Sequence, residues 1–160
     1  MVSIRISPVD APDAHALLEE YFALRASIFP GGGYRTVFPS PATFVEPAGV
    51  FVVLDDDEGR PAGCGGIRRI DDGPNGPRDE VKHLFVRDIG RGRGWGRLIL
   101  EDLERRARER GAAELVLDTH HTLDAAGSLY ARSGFQAIPA YNDNANATRW
   151  YGKALDHPTA

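Results

Sequence analysis

Arg91-Gly92-Arg93-Gly94-Trp95-Gly96-Arg97 joins two segments of opposite character. Ahead of it, Glu80-Val81-Lys82-His83-Leu84-Phe85-Val86 reads as a strand. Behind it, Leu98-Ile99-Leu100-Glu101-Asp102-Leu103-Glu104-Arg105-Arg106-Ala107 reads as a helix. A strand that enters a turn rich in glycine and arginine, and then opens a helix, makes an anion site. Glycines let backbone N–H groups approach a phosphate, and the helix N-terminus adds its dipole. A nucleotide-type cofactor is the natural ligand. A Walker loop requires G-x-x-x-x-G-K-[ST], which the chain lacks. The dinucleotide pattern G-x-G-x-x-G fails because Arg97 stands where its third glycine belongs.

Arg91, Gly94 and Gly96 do fit [QR]-x-x-G-x-[GA]. On them the loop resembles the acetyl-CoA pyrophosphate loop of the GNAT superfamily of N-acetyltransferases. Asp124 to Phe135 resembles a second family segment, A-x-x-L-Y-x-x-x-G-F. It reads as a short helix with Ala126, Leu129, Tyr130 and Ser133 on one face, Thr122 as N-cap and Gly134 closing it in left-handed conformation. Pro139 to Asn144, followed by Trp150-Tyr151-Gly152-Lys153-Ala154-Leu155, is similar to the C-terminal end of one group of small bacterial members. The chain departs from that group at Ala145 and Asn146, where the group carries Pro-Tyr. The resemblance covers residues 50 to 155, and the N-terminal third matches in layout alone.

The resemblance implies acetyl-CoA as co-substrate, no metal, and acetyl transfer to a primary amine of a small molecule or a protein. Such transfer needs amine deprotonation, oxyanion stabilisation and protonation of the thiolate. It also implies that Leu84, Phe85 and Val86 bind pantetheine and the acetyl carbonyl through their backbone. Arg91, Gly92, Arg93, Gly94, Trp95, Gly96 and Arg97 would then hold the pyrophosphate. Tyr130 stands at the position that protonates the departing thiolate; a core aromatic is its other reading. Glu80, six residues before Val86, is the first candidate base, on a strand face shared with Lys82, Leu84 and Val86. His120, His121 and water are the alternatives. Tyr141, Asn142 and His120 are candidate acceptor-binding residues, and Glu46 is a candidate for an ammonium or a plain surface carboxylate. An idle acyl-CoA-binding sensor is the alternative function.

The rest of the sequence fits that frame. A chain of 160 residues with 42% hydrophobic and 26% charged residues suits one globular domain, read here over residues 1 to 160. No apolar run reaches the ~20 residues of a membrane span, and Met1 to Ile6 lacks a secretory core. One cysteine, Cys64, excludes an internal disulfide and reads as a small buried strand residue. A cytoplasmic location is expected. The net charge of −4 disfavours nucleic acid, whereas Arg87, Arg91, Arg93 and Arg97 gather near the loop and suit a small polyanion. The acidic balance favours a cationic amine as acceptor, and a homodimer is compatible with the pattern.

Alternation predicts a strand over Val2–Ser7. A helix follows from Ala11 to Ile28, capped by Asp10, with an apolar stripe of Ala14, Leu17, Leu18, Tyr21, Leu24 and Ile28. Residues 31 to 49 read as a loop, or a short helix within one. Val50–Leu54 and Ala62–Ile70 read as a hairpin, and 71 to 78 as a second turn. The helix after the anion loop buries Trp95, Ile99, Leu103 and Ala107, with Glu101/Arg105, Asp102/Arg106 and Glu104/Arg108 as ion pairs. Strands are expected at Glu114–Asp118, Phe135–Ile138 and Thr148–Leu155. The order β-α-β-β-β-α-β-α-β-β gives an α/β (α+β) architecture: a mixed, twisted, mostly antiparallel sheet of six to seven strands flanked by helices.

Overall fold

In the computed structural model, which describes residues 1–156, one seven-stranded sheet carries three helices. The last four residues of the expected 1–160 domain lie outside the described ones. The strands are β1 (Ser3–Ile6), β2 (Gly49–Asp55), β3 (Pro61–Gly73), β4 (Gly76–Val86), β5 (Glu114–Thr119), β6 (Gln136–Ala137) and β7 (Arg149–Ala154). The helices are α1 (Pro12–Ile28), α2 (Trp95–Glu109) and α3 (Asp124–Arg132). The spatial order is β1-β2-β3-β4-β5-β7-β6. All pairs are antiparallel except β4 and β5, which run parallel.

That parallel pair creates the working space. β4 and β5 are in register only at Arg78↔Glu114, Asp79↔Leu115 and Glu80↔Val116. Beyond Glu80 and Val116 the two strands continue without pairing. The alternation of each strand puts one apolar set on each face. Val52, Leu54, Ile67, Leu115 and Leu117 meet Ile99 and Leu103 of α2 on one side. Phe51, Val53 and Cys64 meet Leu17, Leu18 and Phe22 of α1 on the other. β3 brings its glycines here because space is short. A Cβ on Gly66 would stand 2.6 Å from the Phe44 ring.

Several local expectations need correction. Asp10 does not cap α1; Ala11 is the N-cap, without any side-chain bond, and Pro12 opens the helix. The buried stripe of α1 is Ala14, Leu17, Leu18, Phe22 and Arg25, so Leu24 faces outward and a guanidinium takes an apolar phase. Thr122 does not cap α3 either: Leu123 precedes that helix, and the Thr122 hydroxyl lies 2.8 Å from His120 Nδ1. Residues 71 to 78 are mostly strand, since the hairpin closes through the Gly73↔Gly76 pair. The 31–49 segment holds two short 3-10 turns, Pro30–Gly32 and Pro41–Phe44. On α2, Glu101 pairs with Arg97 instead of Arg105, and Arg105 reaches Asp102 and Glu109.

The largest correction concerns β4. His83 has a positive φ of 59°, and the β3 pairing slips there from Gly66↔Lys82 to Cys64↔Phe85. This bulge places one extra residue on β4 and reverses its alternation. Glu80 and Lys82 therefore share a face with Phe85, which packs toward α1. Leu84 and Val86 pack on the α2 side, opposite to the face expected for them.

Ion pairs stiffen the joint between the sheet halves. Asp79, fully buried, accepts from Arg69 Nε at 2.8 Å and from Arg110 Nε at 3.0 Å. Removing a partner from a buried charge set leaves the other charges uncompensated. Asp79→Ala is expected to lower stability by about 3–5 kcal/mol, read as an earlier midpoint in urea at constant slope. A loss within ~0.5 kcal/mol, the range of a surface substitution, would contradict it.

Candidate active site

A cavity of about 1440 Å³ runs through the gap between β4 and β5. Its walls come from both faces of the sheet: Phe22 and Phe44 from the α1 side, Trp95 and Leu129 from the α2 side. Single small-molecule sites usually span ~300–1,000 Å³, so this space is larger than one such site needs.

The α2 end has the features of an anion site. Gly94 is the N-cap of α2 with φ 76° and ψ 15°, a left-handed conformation natural to glycine. The helix has no side-chain cap and no acidic residue in its first turn. The N–H of Leu98 bonds to the carbonyl of Gly94, so the amides of Trp95, Gly96 and Arg97 precede the first intrahelical bond. Gly92, Gly94 and Gly96 line the cavity with Arg91 and Arg97 at its rim. Both arginines are exposed and pair loosely with Asp88 and Glu101. Arg93 does not line the cavity and lies over the Trp95 ring at 5.3 Å. Arg87 is turned to Glu20 and the Pro61 carbonyl, so the positive patch is smaller than the sequence suggested. These residues fit a pyrophosphate: uncapped amides, no acid, and glycine where a side chain would intrude. The buried Ser133 Oγ, also on the cavity wall, has no hydrogen-bond partner among the described residues.

Tyr130 stands on α3 between the two ends. Gly134, with φ 88°, ends this helix as the spacing predicts, and the Phe135 amide folds back to the Tyr130 carbonyl. The Tyr130 ring is buried against Phe135 and Tyr151, at 5.9 Å from each. It lines the cavity, and its hydroxyl has no protein partner among the described residues. Burial pushes its pKa well above the usual phenol range, so it stays protonated at neutral pH. Leu84, Phe85 and Val86 line the same wall just past the bulge.

Five further predicted residues lie outside the wall. Glu80 is fully buried behind it, 2.8 Å from Arg68 Nε, and accepts the Tyr141 hydroxyl at 2.6 Å. Tyr141 is committed to that bond, and burial followed by the Glu80 charge raises its pKa far above the phenol range. His120 is buried against Phe29 and His121, with its Nδ1 at Thr122. His121 sits at Thr148. Glu46 pairs with Arg110 at 2.7 Å on the outside of the sheet. Asn142 does reach the cavity.

Asn142 belongs to a hub that sequence reasoning missed. Asp118, at the end of β5, accepts from Asn142 at 2.7 Å, Asn144 at 3.1 Å and Lys82 at 3.2 Å. Burial pushes its carboxyl up, but Lys82 and the two amides outweigh that and hold it below the usual range. His83, at the bulge, was also missed. Its ring lies among Tyr21, Phe22 and Phe44 at 5.5–5.8 Å. Burial, then the charges of Lys82, Arg68 and Arg25, push its pKa down to about 3, so it is neutral at pH 7. A charged residue in the apolar phase of α1 was the available signal for Arg25; a non-glycine bulge residue has none.

The arrangement is that of the acyl-CoA N-acyltransferase fold. It aligns with a GNAT-family acetyltransferase of Staphylococcus aureus at a TM-score of 0.78 and 18% identity, over 98% of this chain and 100% of that one. It aligns with yncA of Salmonella typhimurium, whose structure includes its cofactor acetyl-CoA, at a TM-score of 0.68 and 18% identity, over 100% and 97% of the chains. Residues 14–135 match the sequence pattern of the Acetyltransferase (GNAT) family, and the chain belongs to it. An uncharacterized N-acetyltransferase of Schizosaccharomyces pombe is 33% identical over 99 residues, 61% of this chain and 58% of that protein. The chain thus spans little more than half the length of this relative.

Proposed function

We propose that the chain is an acetyl-CoA-dependent N-acetyltransferase that works by direct attack of a primary amine with both substrates bound. The observation that carries this is one continuous cavity, with an anion-binding helix end at one side, an acceptor pocket at the other and the free Tyr130 hydroxyl between. A sensor reading accounts for the anion end but leaves Tyr130 and the acceptor pocket without a task. The test is thiol release from acetyl-CoA in the presence of a panel of amines. Absence of release, with every amine, from protein that binds acetyl-CoA would favour the sensor.

Acetyl-CoA supplies the acetyl group as a thioester. In this reading, amides 94–97 and the rim arginines Arg91 and Arg97 hold the pyrophosphate, with Arg93 supporting Trp95. The backbone of Leu84, Phe85 and Val86 orients the chain that carries the thioester. Asn142, fixed by Asp118 and Trp150, borders the acceptor. The amine nitrogen forms the new C–N bond as the C–S bond breaks. Tyr130 gives its proton to the sulfur and is reprotonated, through solvent, by the proton that the attacking nitrogen sheds as the amide forms. The reaction is proposed for the cytoplasm; among the described residues, no helix is long and apolar enough to cross a membrane.

At the acceptor end, His83 and Asp118 are both held below their ordinary ranges, so neither is poised to take a proton from an ammonium group at neutral pH. The acceptor is therefore proposed to react as the free amine, with its proton lost to solvent. Glu80 then serves as a positioning residue through Arg68 and Tyr141, and His120 braces the same end from behind. As pH rises, the fraction of free amine rises and kcat/KM climbs along one limb set by the acceptor's own pKa. Glu80→Gln is expected to raise KM for the acceptor roughly tenfold, with that limb and the acetyl-CoA affinity unmoved. A limb that disappears in the variant would make Glu80 the direct base.

A further inference from the structure

The acceptor end carries a buried charge with no ion-pair partner among the described residues. Arg25 is 7% exposed and lines the cavity. Its Nη1 donates to the Tyr21 hydroxyl at 3.0 Å and its Nη2 to the Asn146 carbonyl at 2.9 Å. Its guanidinium lies over the Tyr34 ring at 5.2 Å. Among the described residues, no carboxylate comes within ion-pair distance of it. A buried guanidinium has five donors and a full charge, and neutral partners satisfy the geometry without balancing the charge.

Its surroundings add to the imbalance. Arg35 lines the same end, and the Asn146 side chain clamps its backbone at both N–H and carbonyl. Arg68 uses only Nε toward Glu80, and its two terminal nitrogens have no partner among the described residues. The one carboxylate in this part of the wall, Asp118, is already taken by Lys82. The neutral state of His83 follows from burial and from these cations together. A polyamine or a lysine side chain would bring more positive charge to this end. Beside the cations lie the rings of Phe22, Phe38 and Phe44, with Val37 and Phe38 exposed at the mouth.

We infer that the acceptor is an α-amino acid with an apolar side chain, its carboxylate held by Arg25 with Arg68 as a second donor, and its side chain on Phe22, Phe38 and Phe44. This rests on the acetyltransferase reading and replaces the cationic amine that the net charge had favoured.

The experiment compares matched amines on the acetyl-CoA-loaded protein: L-phenylalanine against phenethylamine, L-leucine against isoamylamine, and spermidine as the cationic probe. The carboxylated member of each pair is expected to have a kcat/KM higher by roughly 10- to 100-fold, as for a charge-assisted bidentate contact. Arg25→Gln and, independently, Arg68→Gln should shrink that ratio and leave the acetyl-CoA affinity unchanged. Calorimetry with N-acetyl-L-phenylalanine on the CoA-bound protein gives a readout without turnover, and each variant should weaken that binding. Arg68 is half-exposed, so its variant keeps the test open if Arg25→Gln fails to fold. Preference for phenethylamine or spermidine, or no turnover of either amino acid by protein that binds acetyl-CoA, overturns the substrate class and leaves the acetyl-CoA reading standing. Loss of acetyl-CoA binding in Arg25→Gln also overturns it, by moving Arg25 to the cofactor. Failure of the unmodified protein to bind acetyl-CoA defeats the underlying reading instead.

Discussion

Gly94→Asp is expected to abolish acetyl-CoA binding without unfolding the protein. The position is an uncapped helix N-terminus in left-handed conformation, with open space around the site of a Cβ. Aspartate tolerates that backbone better than most residues, so the strain stays near ~1 kcal/mol. Its carboxylate would cap the amides that the pyrophosphate needs and would face the phosphates as a like charge. We expect a loss of affinity of roughly 100-fold or more, from a charge clash at about 4 Å. Gly94→Asn shares the backbone tolerance and lacks the charge, so it should lose far less. Calorimetry on both variants, with circular dichroism as the folding check, decides. Equal affinity for wild type and Gly94→Asp would remove the loop from the site.

Tyr130→Phe should lower kcat by roughly 100-fold, the usual scale for a lost general acid, with KM for acetyl-CoA nearly constant. The pattern marks an interaction made only in the transition state. The structure makes this substitution unusually clean. Among the described residues the hydroxyl has no hydrogen bond to lose, and the ring contacts with Phe135 and Tyr151 survive in phenylalanine. Thermal stability should therefore be unchanged. A variant with wild-type kcat would return Tyr130 to the role of a core aromatic.

The two ends of the cavity were unequally legible in the sequence. The proposed anion end is local: Arg91, Gly94 and Gly96 lie close together in the sequence around one helix N-terminus, so their spacing is visible there. The element order was legible for the same reason, since apolar periodicity and glycine punctuation are short-range signals. The acceptor end is assembled from afar. Arg25 on α1 meets the Asn146 carbonyl 121 residues later. Lys82 meets Asp118 across the gap between β4 and β5. The bulge at His83 undid the one inference that crossed it, because alternation counted from Glu80 assigns the wrong faces after an inserted residue. Glu80 was named as a candidate base or a solvated strand-end charge, and its burial beneath Arg68 and Tyr141 depends on pairings that no local pattern encodes. Helix caps failed at Asp10 and Thr122, where side chains of the right type stand one residue too early.

The three residue pairs that join β4 to β5 act as the spine of an open book, with four strands on one cover and three on the other. Asp79 and Glu80 both sit on that spine. One anchors Arg69 and Arg110, and the other anchors Arg68 and Tyr141. The angle between the covers sets the width of everything held between them. A substitution on the spine therefore reaches both substrates at once, although it touches neither, and variants selected there for greater rigidity would also be selected, unasked, for a narrower choice of acceptor.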